Sequence, residues 1–64
     1  MATGRVKRFD AQKHYGFITQ ENGRDIFFHQ NDVVEHRVLR AGQSVEFEIV
    51  QTPKGPKAVN VRPK

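Results

Sequence analysis

The sequence predicts an all-β protein, a small five-stranded antiparallel barrel, and three observations support this prediction. Eight Val and three Ile stand against a single Leu, with five Phe and one Tyr, and β-branched and aromatic residues favour strands. Turn residues divide the chain into five short segments. A sheet this small loses its exposed edges when it closes on itself. The 64 residues are expected to form one domain over 1–64.

The first three strands follow from apolar spacing and from one turn. Residues 3–10 carry Val6 and Phe9 among polar side chains and predict a bent strand. Residues 15–20 alternate, as a half-buried strand does. Asn22-Gly23 then favours a hairpin turn into a third strand over residues 25–30.

The last two strands are separated from the first three by a longer connection. Residues 31–43 have no two-residue period, which indicates a loop with one helical turn near Asp32. Residues 44–51 alternate and place Val45, Phe47 and Ile49 on one face. A Pro-Lys-Gly-Pro turn at 53–56 leads to a strand over 57–62, with Val59 and Val61 predicted to point inward.

Strand parity brings four rings together on one surface. Side chains alternate between the two faces of a strand, so if Ile18, Ile26 and Phe28 form the core, their neighbours point to solvent. Those neighbours are Tyr15, Phe17, Phe27 and His29. A soluble domain seldom exposes such a cluster unless the surface binds something. The alternatives are that the parity is reversed or that both faces are buried. Reversal would bury His29 and expose both isoleucines.

The charge around these rings indicates the kind of ligand. Eleven Lys and Arg stand against seven Asp and Glu, a net charge of +4. Four of the cations lie in the first segment, at Arg5, Lys7, Arg8 and Lys13, opposed by Asp10 alone. Bases stack on aromatic rings and phosphates attract cations, so the pattern predicts a surface for single-stranded RNA or single-stranded DNA.

The same residues resemble a known family. Residues 4–10, 13–18 and 25–29 are similar to the opening and to the paired RNA-binding motifs of the bacterial cold-shock domain, and the likeness runs from Gly4 to about Val61. It implies a five-stranded oligonucleotide/oligosaccharide-binding (OB) barrel that binds single-stranded RNA and DNA as an RNA chaperone or regulator. The family's contact positions fall on Lys7, Lys13, Tyr15, Phe17, Asp25, Phe27, His29 and Lys54. Arg8, Phe9 and Gln30 complete the predicted nucleic-acid-binding set.

Three rings common in that family are replaced in this chain. Arg8 stands where Trp is usual, Gln30 stands where Phe is usual, and the shorter loop after the third strand has only Val38 in place of its Phe. Binding is therefore expected to be weaker, since each stacked base contributes roughly 1–3 kcal/mol. His14 replaces a usual Gly, and His is among the residues that tolerate a positive φ.

Several other functions have little support in the sequence. The absence of cysteine excludes disulfides, thiolate zinc sites and cysteine nucleophiles. Ser44 has no nucleophile-elbow glycines, and no phosphate-binding loop or dinucleotide fingerprint occurs. His14, His29 and His36 match no closed zinc site. We therefore expect a protein that is not an enzyme and has no cofactor or metal.

The rival interpretation is a small β-barrel that binds peptides on its aromatic face. A Pro-rich peptide would also dock on such rings. Such a groove does not need four cations in nine residues, so the sequence favours nucleic acid. No apolar run reaches the roughly 20 residues that span a bilayer. A cytoplasmic monomer without membrane contact is expected, in keeping with the lack of cysteine.

Overall fold

In the computed structural model, five strands form a closed barrel in the order β1-β2-β3-β5-β4. The structure describes residues 1–36 and 38–64, the side chain of His36 excepted. The strands are β1 (Ala2–Asp10), β2 (Tyr15–Gln20), β3 (Asp25–His29), β4 (Ser44–Thr52) and β5 (Gly55–Pro63). The all-β prediction is confirmed, and this strand order is that of an OB barrel.

The connection between β3 and β4 contains two single turns of 3₁₀ helix, at Gln30–Asp32 and Val34–His36. The first contains Asp32, where the sequence predicted a helical turn. In the part of the chain that the structure describes, no helix is long and apolar enough to cross a membrane.

The sheet is mixed: the antiparallel pairing predicted from the sequence holds for four of the five strand pairs and not for the fifth. β3 and β5 run parallel, with Phe27 opposite Lys57 and Phe28 opposite Ala58. The other four pairings are antiparallel. The reason is topological. Five strands cannot alternate in direction around a closed ring, because five is odd, so at least one neighbouring pair must be parallel.

The core is built from the apolar side chains that point into the barrel. Ile18, Ile26 and Phe28 are at most 2% exposed, which confirms the predicted parity of β2 and β3. The remaining buried core residues are Val6, Val33, Leu39, Val45, Phe47, Ala58 and Val61. The hairpin between β2 and β3 forms at Asn22-Gly23 as predicted, with Gly23 at a φ of 87° that a glycine adopts without strain.

A β-bulge at Lys7 accounts for the bend in β1. Val6 lies opposite Ile18 and Arg8 opposite Phe17, so Lys7 is an extra residue with no partner of its own. Val6 and Phe9 therefore both point inward although three positions separate them. The bulge also leaves Lys7 and Arg8, two adjacent cations, exposed on the outside of the barrel.

A glycine is required on β2 close to this bulge. Gly16 pairs with Phe9, and a Cβ added at Gly16 would lie 2.4 Å from the carbonyl oxygen of Arg8 and 3.0 Å from the ring of Phe28. The backbones of β1 and β2 approach too closely for a side chain here. Gly16 thus permits β1 to bend over the core.

The inward residues of β5 differ from the prediction. Ala58 and Val61 are fully buried, whereas Val59 is only half-buried and pairs with the exposed Glu48. Asn60, at a φ of 51°, lies where the register with β4 shifts, so a second bulge changes the parity of the strand. Ile49 pairs with Ala58 but is 44% exposed, because the pairing of β1 with β4 stops at Phe47.

Candidate nucleic-acid interface

Four rings line the outer face of β2 and β3, and we call this surface the aromatic platform. It consists of Tyr15, Phe17, Phe27 and His29, all half-buried. Tyr15 lies opposite His29 and Phe17 opposite Phe27. The ring of Tyr15 is 5.6 Å from that of Phe27, and the rings of Phe17 and Phe27 are 6.0 Å apart at 74°. These mutual contacts support the rings while leaving part of each in solvent.

The orientation of His29 is fixed by its own backbone turn. Its Nδ1 accepts a hydrogen bond from the N–H of Asn31 at 3.1 Å, at the start of the first 3₁₀ turn. In the neutral ring the proton is then on Nε2. His29 thus combines a ring face for stacking with an N–H donor.

Arg8 lies against one end of the aromatic platform. Its guanidinium carbon is 5.1 Å from the centroid of the Phe17 ring, which is within cation–π distance. Asp10, the acid in this segment, accepts hydrogen bonds from the N–H groups of Gln12 and Lys13 at 3.0 and 3.2 Å. Asp10 therefore stabilises the turn after β1, and Lys13 extends from that turn as an exposed cation.

A short ion pair lies beside Arg8. Lys7 Nζ is 2.8 Å from Asp25 Oδ2, and the Thr19 hydroxyl donates to Asp25 Oδ1 at 3.1 Å. The hydrogen bond from Lys7, and after it the hydrogen bond from Thr19, lowers the pKa of Asp25. Both charged side chains remain partly exposed, so both are accessible to a ligand.

Gln30 takes a structural position where the family usually has a ring. Its backbone N–H donates to the carbonyl of His14 at 2.8 Å, and its Oε1 is 3.0 Å from Nδ1 of His14. These bonds connect the end of β3 to the turn between β1 and β2. His14 adopts a φ of 61°, as its replacement of a glycine suggested.

A groove runs between Phe27 and the turn that joins β4 to β5. Lys54 lies on its edge, together with Pro56 and Lys57, which the sequence analysis did not include in the site. The parallel pairing of β3 with β5 places Lys57 opposite Phe27. An odd number of strands requires at least one parallel neighbouring pair, but the strand count alone does not identify β3 and β5 as that pair.

Two further positions lie away from the platform. Phe9 is half-buried and its ring stacks on the core residue Phe28 rather than on the platform. Val38 is 66% exposed, while its neighbour Leu39 is buried and fixes the loop to the core. The nucleic-acid contact predicted for Phe9 stays a prediction, with at most one part of its ring accessible.

A closed five-stranded barrel that carries rings and cations on one outer face belongs to the class of OB-type nucleic-acid-binding domains. Comparison with protein families agrees with this class. The model of the "'Cold-shock' DNA-binding domain" family matches residues 2–64. The chain belongs to this family, and nucleic-acid binding of the cold-shock type is the activity that membership supports.

Several curated relatives share close to half of their residues with the chain. A cold shock-like protein of Stigmatella aurantiaca is 49% identical over 65 positions, covering 97% of this chain and 96% of the relative. A cold shock-like protein of Thermotoga maritima is 46% identical over 61 residues, 92% of each chain. The major cold shock protein of Streptococcus pyogenes is 43% identical over 63 residues, 95% of this chain and 94% of the relative.

Proposed function

We propose that the protein binds single-stranded RNA and single-stranded DNA on the aromatic platform, with weak sequence preference, and acts as an RNA chaperone or as a regulator of transcription or translation. The observation that carries the proposal is the cluster of Tyr15, Phe17, Phe27 and His29 on one outer face, with cations on both flanks. We propose a binding function and no catalytic step.

The geometry supports single strands over duplexes. A ring can stack on a base only when that base has left its own stack, as it has in a single strand. Lys13, which is exposed on the turn after β1, and Lys54, which lines the groove with Phe27, supply positive charge to attract the phosphates that connect the stacked bases. Because stacking and charge attraction are largely independent of sequence, the base preference of the platform as a whole is weak.

A chaperone role follows from the same energetics. A protein that binds unpaired bases shifts the equilibrium of an RNA hairpin toward its open form by mass action. Weak binding suits this role because the RNA must be released to refold. The platform meets that requirement, since Arg8 and Gln30 hold two positions where the family usually has rings.

Two measurements test the proposal. Fluorescence anisotropy with labelled uridine and deoxythymidine heptamers, at two salt concentrations, should show binding to both that weakens with salt, and a matched duplex should bind far less. A dye-and-quencher RNA hairpin should open as protein is added. The double variant F17A/F27A, with the barrel still folded, is the control and should do neither.

Absence of binding to every heptamer would overturn the proposal. In that case, capture of a Pro-rich peptide by the wild-type protein with little dependence on salt would favour the peptide-binding module instead.

A further inference from the structure

Beside the aromatic platform lies a recess of about 290 Å³ lined by Lys7, Arg8, Phe17 and Asp25. We infer that this recess is a subsite for a single guanine base, recognised by Arg8 along one edge and by Asp25 along the next. The inference rests on the proposed function and adds a specificity to it. The volume of the recess is just below that of typical ligand pockets, which suits one base rather than several.

The charges in the recess favour a base over a phosphate. Lys7 and Arg8 present hydrogen-bond donors, but the Asp25 carboxylate presents only acceptors. A phosphate is itself an acceptor with negative charge, so Asp25 repels it. The hydrogen bonds from Lys7 and Thr19 lower the pKa of Asp25, which keeps the carboxylate charged at neutral pH. The natural occupant therefore carries donors and acceptors on adjacent edges.

Guanine has that arrangement more fully than the other bases. Around its rim two acceptors, N7 and O6, are followed by two donors, N1–H and the N2 amino group. The acceptor pair matches the two-pronged guanidinium of arginine, the commonest specific contact to guanine in protein–DNA complexes. Cytosine offers two acceptors with one donor group, and uracil a single donor between two acceptors. Adenine offers a donor beside an acceptor on the edge where guanine has two acceptors.

Arg8 lies within reach of a base in the recess. Its guanidinium carbon is 5.1 Å from the centroid of the Phe17 ring, and the residue is exposed, so its N–H groups are accessible to a ligand. The β-bulge at Lys7 is what puts Arg8 here, because it turns Arg8 to the outer face and opposite Phe17.

Asp25 keeps acceptor capacity for the base. Its two oxygens hold one hydrogen bond each, from Lys7 and from Thr19, and a carboxylate accepts about four. Its side chain is 38% exposed. The same cross-strand bond from Thr19 fixes the carboxylate on the platform side of β3, where guanine stacked near Phe17 reaches it.

The test uses uridine heptamers in which one guanosine occupies each position in turn, with adenosine and cytidine series beside them. Guanosine at the best position should tighten binding roughly tenfold over heptauridine, and adenosine and cytidine should do so less. Two analogues at that position separate the contacts. Replacement by 7-deazaguanosine removes the N7 acceptor, and replacement by inosine removes the N2 amino group. Each should weaken binding roughly threefold to fivefold.

Variants then assign each loss to a residue. In Arg8→Lys the 7-deazaguanosine penalty should disappear and the inosine penalty should remain. Lysine keeps the positive charge but lacks the two parallel N–H donors that pair with N7 and O6. In Asp25→Ala, with folding verified by its thermal transition, the inosine penalty should disappear. Arg62→Lys is the matched control, since the Arg62 guanidinium contacts the Met1 Sδ at 3.0 Å, and it should keep both penalties.

Equal affinity for all four bases at every position, or analogue penalties that persist in both variants, would overturn the guanine subsite and leave the proposed function intact. Failure of all heptamers to bind would overturn the proposed function and the subsite together.

Discussion

The ring of Phe9 lies nearly parallel to that of Phe28, with centroids 5.8 Å apart and planes 14° apart. Its neighbour Arg8 lies on the opposite face of β1, over the ring of Phe17. Because the bulge at Lys7 shifts the parity of β1, Phe9 supports the core and Arg8 borders the candidate interface. Substitution of Phe9 is therefore expected to lower the stability of the fold, whereas substitution of the adjacent Arg8 is expected to change ligand binding.

The first prediction compares two phenylalanines. Phe9→Ala should lower the free energy of unfolding by about 2 kcal/mol, because it removes a ring packed on the core. Phe17→Ala should change stability by less, and should weaken heptamer binding by roughly 1–3 kcal/mol through loss of a stacked base. Urea unfolding and anisotropy titration of the folded fraction measure the two effects. If Phe17→Ala unfolds the domain while binding per folded molecule is unchanged, the platform is not the interface.

The second prediction concerns salt. The measurement uses heptauridine, which has no guanine to occupy the recess. If Lys7, Arg8, Lys13 and Lys54 then contact three or four phosphates between them, the slope of log K against log salt should be about −2 to −3, since single strands release about 0.7 counterion per contact. Lys13→Gln should make the slope shallower by about 0.7 for every sequence tested. An affinity independent of salt would exclude a phosphate-binding role for these cations.

Two-residue alternation was enough to predict the platform from the sequence. The positions of Ile18, Ile26 and Phe28 fixed the parity of two strands, and a regular hairpin preserved it. The bulges at Lys7 and Asn60 were not predicted, because each inserts one residue and reverses parity beyond it. The three-residue spacing of Val6 and Phe9, and of Ala58 and Val61, was the available signal.

Strand parity alone could not predict the recess at Arg8 for the same reason, although the family resemblance included its four lining residues in the predicted site. Without a bulge, strand parity would direct Arg8 to the same side as Val6, into the core. Only the shift in register shows that Arg8 shares a face with Phe17 and lies beside Asp25. The Asp25–Lys7 contact likewise joins residues 18 positions apart in the sequence, and depends on how β1 and β3 flank β2.

The third prediction is a pH dependence of stability. The pKa of Asp25 is lowered from 3.8 in the folded protein, chiefly by the hydrogen bond from Lys7. Its ionised form therefore stabilises the fold at pH values above about 4, and this contribution is lost as the pH falls through the lowered folded-state pKa. The effect should be small, because the pair is exposed.

The contribution of ionised Asp25 to the free energy of unfolding is measured by urea unfolding of wild type and Asp25→Asn at pH 7 and pH 2.5. The stability difference between the two proteins should shrink at the lower pH. Glu48→Gln, at an exposed acid on β4, controls for the loss of one negative charge. A difference that stays constant across this range would show that the Lys7–Asp25 pair does not stabilise the fold.

The last prediction concerns Arg8 itself, where a tryptophan is usual in the family. Arg8→Trp replaces a guanidinium over Phe17 with a large flat ring, so it should tighten binding to heptauridine by about 1–2 kcal/mol and reduce the dependence on salt. It should also remove the preference for guanosine, because indole has one N–H donor and lacks the paired N–H donors of a guanidinium.

Arg8→Ala should weaken binding to every heptamer, since it removes both the stacking surface and the positive charge of Arg8. If Arg8 acts mainly on phosphate, Arg8→Trp should instead leave affinity level or lower at low salt. Anisotropy titrations of both variants at two salt concentrations separate these outcomes, and if neither variant changes affinity or slope, Arg8 lies outside the interface.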